Sequence, residues 1–223
     1  MDWSESIDGY CERTSAAFWA EPLNAWSNLA FIAVAFLGYG LWKMRGGRDK
    51  ASEALCLLVG VIGAGSFTFH TVATRWASLA DVIPIAVFIY GYFALALRRY
   101  FLLPPLVAGL GTLAFFAASF GAEPALAAIA GSSAGYLPGL LAMLLIGGIL
   151  VARHREPGPL ILAAGATFFV SLAFRMVDEP VCAALPTGTH FLWHILNAAT
   201  LGLLVAAAID TVPASERRTT DRA

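Results

Sequence analysis

Seven apolar runs separated by short polar stretches leave this chain few ways to fold. They lie roughly at 22–43, 54–72, 79–97, 103–121, 135–152, 159–177 and 189–209. Each is long enough, or nearly so, to cross a hydrocarbon core of ~30 Å as a helix. Pro104, Pro105 and Pro124 bracket the fourth run. With 59% hydrophobic and 13% charged residues, the composition is that of a membrane protein. The expectation is an all-α membrane protein, a seven-transmembrane helix bundle over 22–210, with an outer segment at 1–21 and a tail at 211–223. Glycines inside the runs, and Gly63 and Gly65 just before Ser66, fit close helix approach.

The fourteen Lys and Arg residues set the orientation. With seven spans, eleven of them fall in the loops after the first, third and fifth runs and in the tail, and three (Arg13, Arg75 and Arg175) on the opposite side. Cytoplasmic loops carry the positive excess, so the N-terminus is placed outside and the C-terminus in the cytoplasm. The first 20 residues are polar and acidic and lack the charged-then-apolar pattern of a cleaved signal peptide. No basic stripe with interleaved aromatics points to nucleic acid as a partner.

Against this background Ser66, His70, Asp81, His190 and His194 stand out, all at the outer ends of their runs. An ionisable side chain at mid-bilayer costs at least ~2.5 kcal/mol, so such residues are functional candidates by default. Residues four apart share a helix face, which pairs His190 with His194 and Ser66 with His70. Three neutral imidazoles leave one tetrahedral position open, the arrangement of a catalytic zinc. A water held there loses a proton near neutral pH. Asp81 follows His70 across a short turn and returns to the same depth, placed to act as general base and then acid. Ser66 is placed to bond the water or a developing oxyanion. Buried histidines satisfied by carbonyls are the plainer alternative. A haem bundle is another, but it has no use for Ser66 and Asp81. His154, between Arg153 and Arg155, reads as solvated.

Cys56 reads as a small buried apolar residue. Cys11 and Cys182 both fall on the outer, oxidising side, either bridged or as two free thiols. Asp8, Glu12 and Glu21 precede the first run, and hard oxygens of this kind suit calcium. Their spacing matches no EF-hand, and on the residues alone capping or solvation is the better explanation.

The chain resembles the alkaline ceramidase family, seven-helix membrane hydrolases with an intramembrane zinc. The resemblance rests on YCERTSAAFWAEPLNAWSNL at Tyr10 to Leu29, GAGSFTFH at Gly63 to His70, Asp81 in LADVIP, DEPVC at Asp178 to Cys182 and HFLWHIL at His190 to Leu196. It implies zinc on His70, His190 and His194, with Ser66 and Asp81 acting on the water. It also implies a Cys11–Cys182 disulfide and calcium ligation by Asp8, Glu12 and Glu21. Thr14 stands where eukaryotic members carry an asparagine ligand, the head between Glu12 and Glu21 is shorter, and Val82 replaces an acidic residue. Short loops and compact size look bacterial, which implies an inner membrane with the site near its periplasmic side.

The expected function is zinc-dependent hydrolysis of the amide in ceramide or a related N-acyl lipid, giving a fatty acid and a sphingoid-like amine. Two alternatives share the metal centre: a seven-helix lipid receptor or signalling protein, and a lipid esterase.

Overall fold

The computed structural model describes residues 2–211. The tail expected from 211 onward, with Arg217, Arg218 and Arg222, therefore lies outside the described residues beyond Thr211. Among the described residues the elements are helices: α1 (Pro22–Ser27), α2 (Leu29–Met44), α3 (Lys50–Val72), α4 (Arg75–Arg99), α5 (Pro105–Ala130), a 3₁₀ turn (Gly131–Tyr136), α6 (Leu137–Ala152), α7 (Pro157–Val181) and α8 (His190–Asp210).

The first apolar run is two helices offset at Asn28. The Asn24 carbonyl accepts from both Ser27 Oγ and Asn28 Nδ2 at 2.8 Å, so side chains draw on an acceptor that a continuous helix reserves for its own backbone. α3 begins four residues before the apolar run because Asp49 caps it, accepting from the Ala51 N–H at 3.2 Å. It stops at Ala73, whose φ of 48° is left-handed, and only Thr74 separates this residue from α4. Pro105 opens α5, where its missing N–H costs nothing. Pro124 does not end that helix, as expected from the sequence, but sits inside it. The helix runs on to Gly131, whose φ of 53° breaks it.

Among the described residues, six helical stretches are long and apolar enough to cross a membrane. One of them, Pro105–Ala152, is 48 residues long and includes the 3₁₀ turn. As a straight helix it would reach about 72 Å, more than twice the hydrocarbon thickness. It doubles back instead. The Arg153 guanidinium lies 5.9 Å over the Phe101 ring, which brings the two ends together, while Ser133 in the turn bonds Arg175 at 2.6 Å.

α8 is the most enclosed element, packed by α2, α3 and α7, with its Ala198, Leu204, Val205 and Ala208 in the main core. Phe36, Leu37, Leu106 and Leu113 point outward, each more than 60% exposed, a surface suited to lipid. At the end that carries the basic loops, Arg99 bonds both carboxylate oxygens of Asp49 at 2.9 Å and the Ala208 carbonyl at 2.7 Å, locking α3, α4 and α8. The N-terminal segment packs over the other end of the bundle.

Candidate metal centre

Two local features aim α8 at the centre. Asp178, on α7, accepts from the backbone N–H groups of Thr189 (2.6 Å) and His190 (2.9 Å) through one oxygen, so a neighbouring helix caps the start of α8. Its other oxygen accepts from the Cys11 N–H at 3.1 Å. Gly188 is needed for this: its φ is 61°, and a Cβ there would run into the Asp178 carboxylate and Cys11. The Cys11–Cys182 disulfide, with Cα atoms 5.2 Å apart, fastens the same corner.

On α3, Gly65 lets the backbone touch that of α4. A side chain there would strike the Ala80 carbonyl. The contact brings Asp81 beside Ser66, with its carboxyl within reach of the Ser66 hydroxyl. One Asp81 oxygen is buried without a hydrogen-bond partner.

His70, His190 and His194 converge from α3 and α8. Their ligand atoms all lie within 4.8 Å of one another, and all three side chains are buried. The hydrogen bonds fix which nitrogens are free. Glu21 accepts from His70 Nδ1 at 2.6 Å, leaving Nε2 as a buried lone pair with no partner. Ser27 has spent its proton on the Asn24 carbonyl, so it accepts from His194 Nδ1 at 2.7 Å. His194 Nε2 then carries a lone pair, 3.5 Å from Ser66 Oγ. His190 Nδ1 is also buried and unpartnered. Orphaned imidazole nitrogens facing one point are costly unless something accepts their electrons. The set fits a zinc ion: three neutral nitrogens, with partners behind two of them fixing tautomer and ring angle.

The ceramidase family model matches residues 3–222, nearly the whole chain. The chain belongs to the ceramidase family. No curated protein matches it.

In this ceramidase-family chain the structure brings together His70, His190, His194, Ser66 and Asp81, together with the Cys11–Cys182 bridge. It does not bring together Asp8, Glu12 and Glu21. Asp8 is exposed. Glu12 caps α1, accepting from the N–H groups of Leu23 (2.7 Å) and Asn24 (2.8 Å). Glu21 is taken by His70, by Asn24 Nδ2 at 3.0 Å and by Arg13. Burial pushes the Glu21 carboxyl up, but the hydrogen bonds from His70, Asn24 and Arg13 outweigh it and hold the carboxyl below the usual carboxylate range. Among the described residues the histidine trio is the one group of His, Cys, Asp or Glu gathered at metal-ligand distances. The calcium set implied by the resemblance is not assembled.

Several participants escape a reading of the sequence. Tyr10 stacks on His190 with ring centroids 3.7 Å apart. Burial raises its phenol above the ordinary value, against the pull of Arg175, whose Nη2 donates to the phenol oxygen at 3.4 Å. Arg175, counted above only as an outer charge, lies over the rings of Tyr136 and Trp193 and bonds Ser132, Ser133 and Tyr10. Below the histidines an apolar cavity opens between α4, α6 and α8, bounded by Ile62, Phe88, Phe115, Phe168 and Leu204. Asn197, one turn of α8 beyond His194, gives it a polar spot.

Proposed function

We propose that this chain crosses the bilayer seven times and cleaves the amide of ceramide, or of a related N-acyl lipid, at a zinc held by His70, His190 and His194. The observation that carries this is the set of unpartnered imidazole nitrogens beside the buried Asp81 carboxyl. The doubled-back Pro105–Ala152 stretch counts as two crossings. Lys43, Arg45, Arg48, Lys50, Arg98, Arg99, Arg153 and Arg155 lie at the end away from the site, which favours a site on the outer side, with the N-terminus outside and the C-terminus in the cytoplasm. In a bacterial inner membrane that side is the periplasm.

A zinc ion bound there supplies Lewis acidity, polarising a carbonyl and lowering the pKa of a water toward ~7. The protein's own groups do the rest. Asp81 takes a proton from the attacking water and delivers it to the amide nitrogen as the C–N bond breaks, releasing a fatty acid and an amine. An amide nitrogen leaves poorly unless protonated, so a carboxyl beside the metal is required. Ser66 donates to the carbonyl oxygen as it gains charge. The apolar cavity takes an acyl chain and excludes water from the scissile bond.

The test is turnover of labelled ceramide by purified protein, with mass spectrometry of the products and metal analysis of the same sample. About one zinc per chain and release of fatty acid are expected. His190→Ala should lose both. Absence of cleavage across a broad lipid panel by zinc-loaded protein would sink the enzymatic reading.

A further inference from the structure

Arg13 is a charged residue in a polar head, yet its side chain is only 1% exposed. Its guanidinium bonds one Glu21 carboxylate oxygen through Nε, the carbonyls of Ser15 (3.0 Å) and Ala17 (3.4 Å) through Nη1, and the His70 carbonyl (3.2 Å) through Nη2. One carboxylate and three backbone carbonyls form an all-oxygen shell, the kind that surrounds a hard divalent cation. Here the positive charge comes from the chain itself. The shell joins the three parts an ion would have to join: the head around Ser15 and Ala17, Glu21 at the start of α1, and the last turn of α3, whose carbonyls carry partial negative charge.

The nearby carboxylates are already engaged by donors of the chain itself. Both oxygens of Glu21 and both of Glu12 already accept hydrogen bonds, and Asp8 is exposed away from them. Thr14 supplies no amide oxygen. A second cation next to the buried guanidinium would be repelled at low dielectric.

We propose that Arg13 is the resident cation of the N-terminal segment, so that this protein folds and holds its metal centre without calcium. Arg13 is also a positioning residue. It fixes Glu21, which in turn fixes the tautomer and angle of His70. This goes beyond the proposed reaction and does not depend on the lipid substrate.

The experiment uses the full-length protein in detergent, in zinc-supplemented buffer stripped of calcium on a chelating resin, before and after addition of calcium chloride. Melting temperature, calcium content and zinc affinity are read alongside turnover. Wild-type protein should carry no stoichiometric calcium and melt at the same temperature in both buffers. Arg13→Gln, which keeps length and some donors but removes the charge, should melt about 6 °C or more lower and bind zinc about tenfold more weakly. Arg13→Lys should recover most of both losses. Stoichiometric calcium in the wild type with a higher melting temperature overturns the proposal. So does an Arg13→Gln protein that matches the wild type in stability and zinc affinity. Loss of ceramide cleavage alone, with these readouts as expected, counts against the substrate and not against Arg13.

Discussion

Glu21→Gln is the sharpest probe of how the centre is held. Three donors converge on the Glu21 carboxylate: His70 Nδ1, Asn24 Nδ2 and Arg13 Nε. A glutamine has one acceptor oxygen and turns an NH₂ toward the remaining donors, so at least one buried donor is left facing another. Two consequences separate in magnitude. Removing the carboxylate paired with the buried guanidinium should cost about 3–5 kcal/mol of stability. Loss of a charged acceptor behind a metal-binding imidazole should weaken zinc by about 10–100-fold, or roughly 1.4–2.7 kcal/mol. Ser27→Ala is the matched control. It removes a neutral acceptor from His194 Nδ1 and strands no charge. It leaves the buried His194 N–H without an acceptor, so it should cost about 1–3 kcal/mol and weaken zinc toward the lower end of that range. Titration of zinc against a coloured competing chelator gives the affinities, and thermal unfolding of the zinc-free protein gives the stabilities. If folded Glu21→Gln protein binds zinc as tightly as wild type, the hydrogen-bonding account of the site is wrong.

Asp81→Asn should keep zinc but lower kcat by about 10²–10⁴-fold, and steady-state turnover with parallel metal analysis checks both halves. Reduction of Cys11–Cys182, which closes a sequence separation of 171 residues, should lower the melting temperature, since bridges of this kind stabilise by about 2–4 kcal/mol; an unchanged melt in reductant would show that the Asp178 contacts suffice. At the far end, burial raises the Asp49 carboxyl, but the bonds from Arg99 and Ser52, the Arg99 charge and the Ala51 N–H outweigh burial and hold it below its ordinary value. Its contribution to stability is therefore complete above the unfolded pKa of about 3.9 and fades as pH falls through the lowered folded value. Asp49→Asn should flatten that acid limb in a pH series of melting curves and cost about 3 kcal/mol at neutral pH.

Much of this was legible because the bilayer makes polar residues conspicuous. His70, Asp81, His190 and His194 show up in the sequence because hydrocarbon gives a carboxylate or imidazole no casual reason to be there. Their i,i+4 spacing then does the geometry. The helix ends were less legible where polar residues belong to helices. Arg75 and Arg98 read as loop but lie in α4, and Lys50 to Glu53 read as loop but open α3 behind the Asp49 cap. Pro124 looked like a stop and was not. One missing N–H does not halt a helix whose apolar residues continue on both sides of it.

The N-terminal segment shows where this kind of legibility fails. Outside the bilayer a charge costs nothing in solvent, so Arg13, Glu12 and Glu21 carry no mark that separates a buried hub from a hydrated head. Composition favoured capping or solvation, and the resemblance favoured calcium. For Glu12 the structure bears out the capping reading, since it serves the helix start, while Glu21 bridges Arg13 and His70. What distinguishes the three outcomes is whether the head folds down over α3, and that depends on long-range contacts. Cys11 bonds covalently to a residue 171 positions away, and Asp178 reaches back to the Cys11 N–H. Once those ties hold the head over the histidines, a fixed charge beside Glu21 follows from electrostatics, because a buried carboxylate cannot stay ionised without a cation. An arginine two residues after Cys11 meets that need from within the chain.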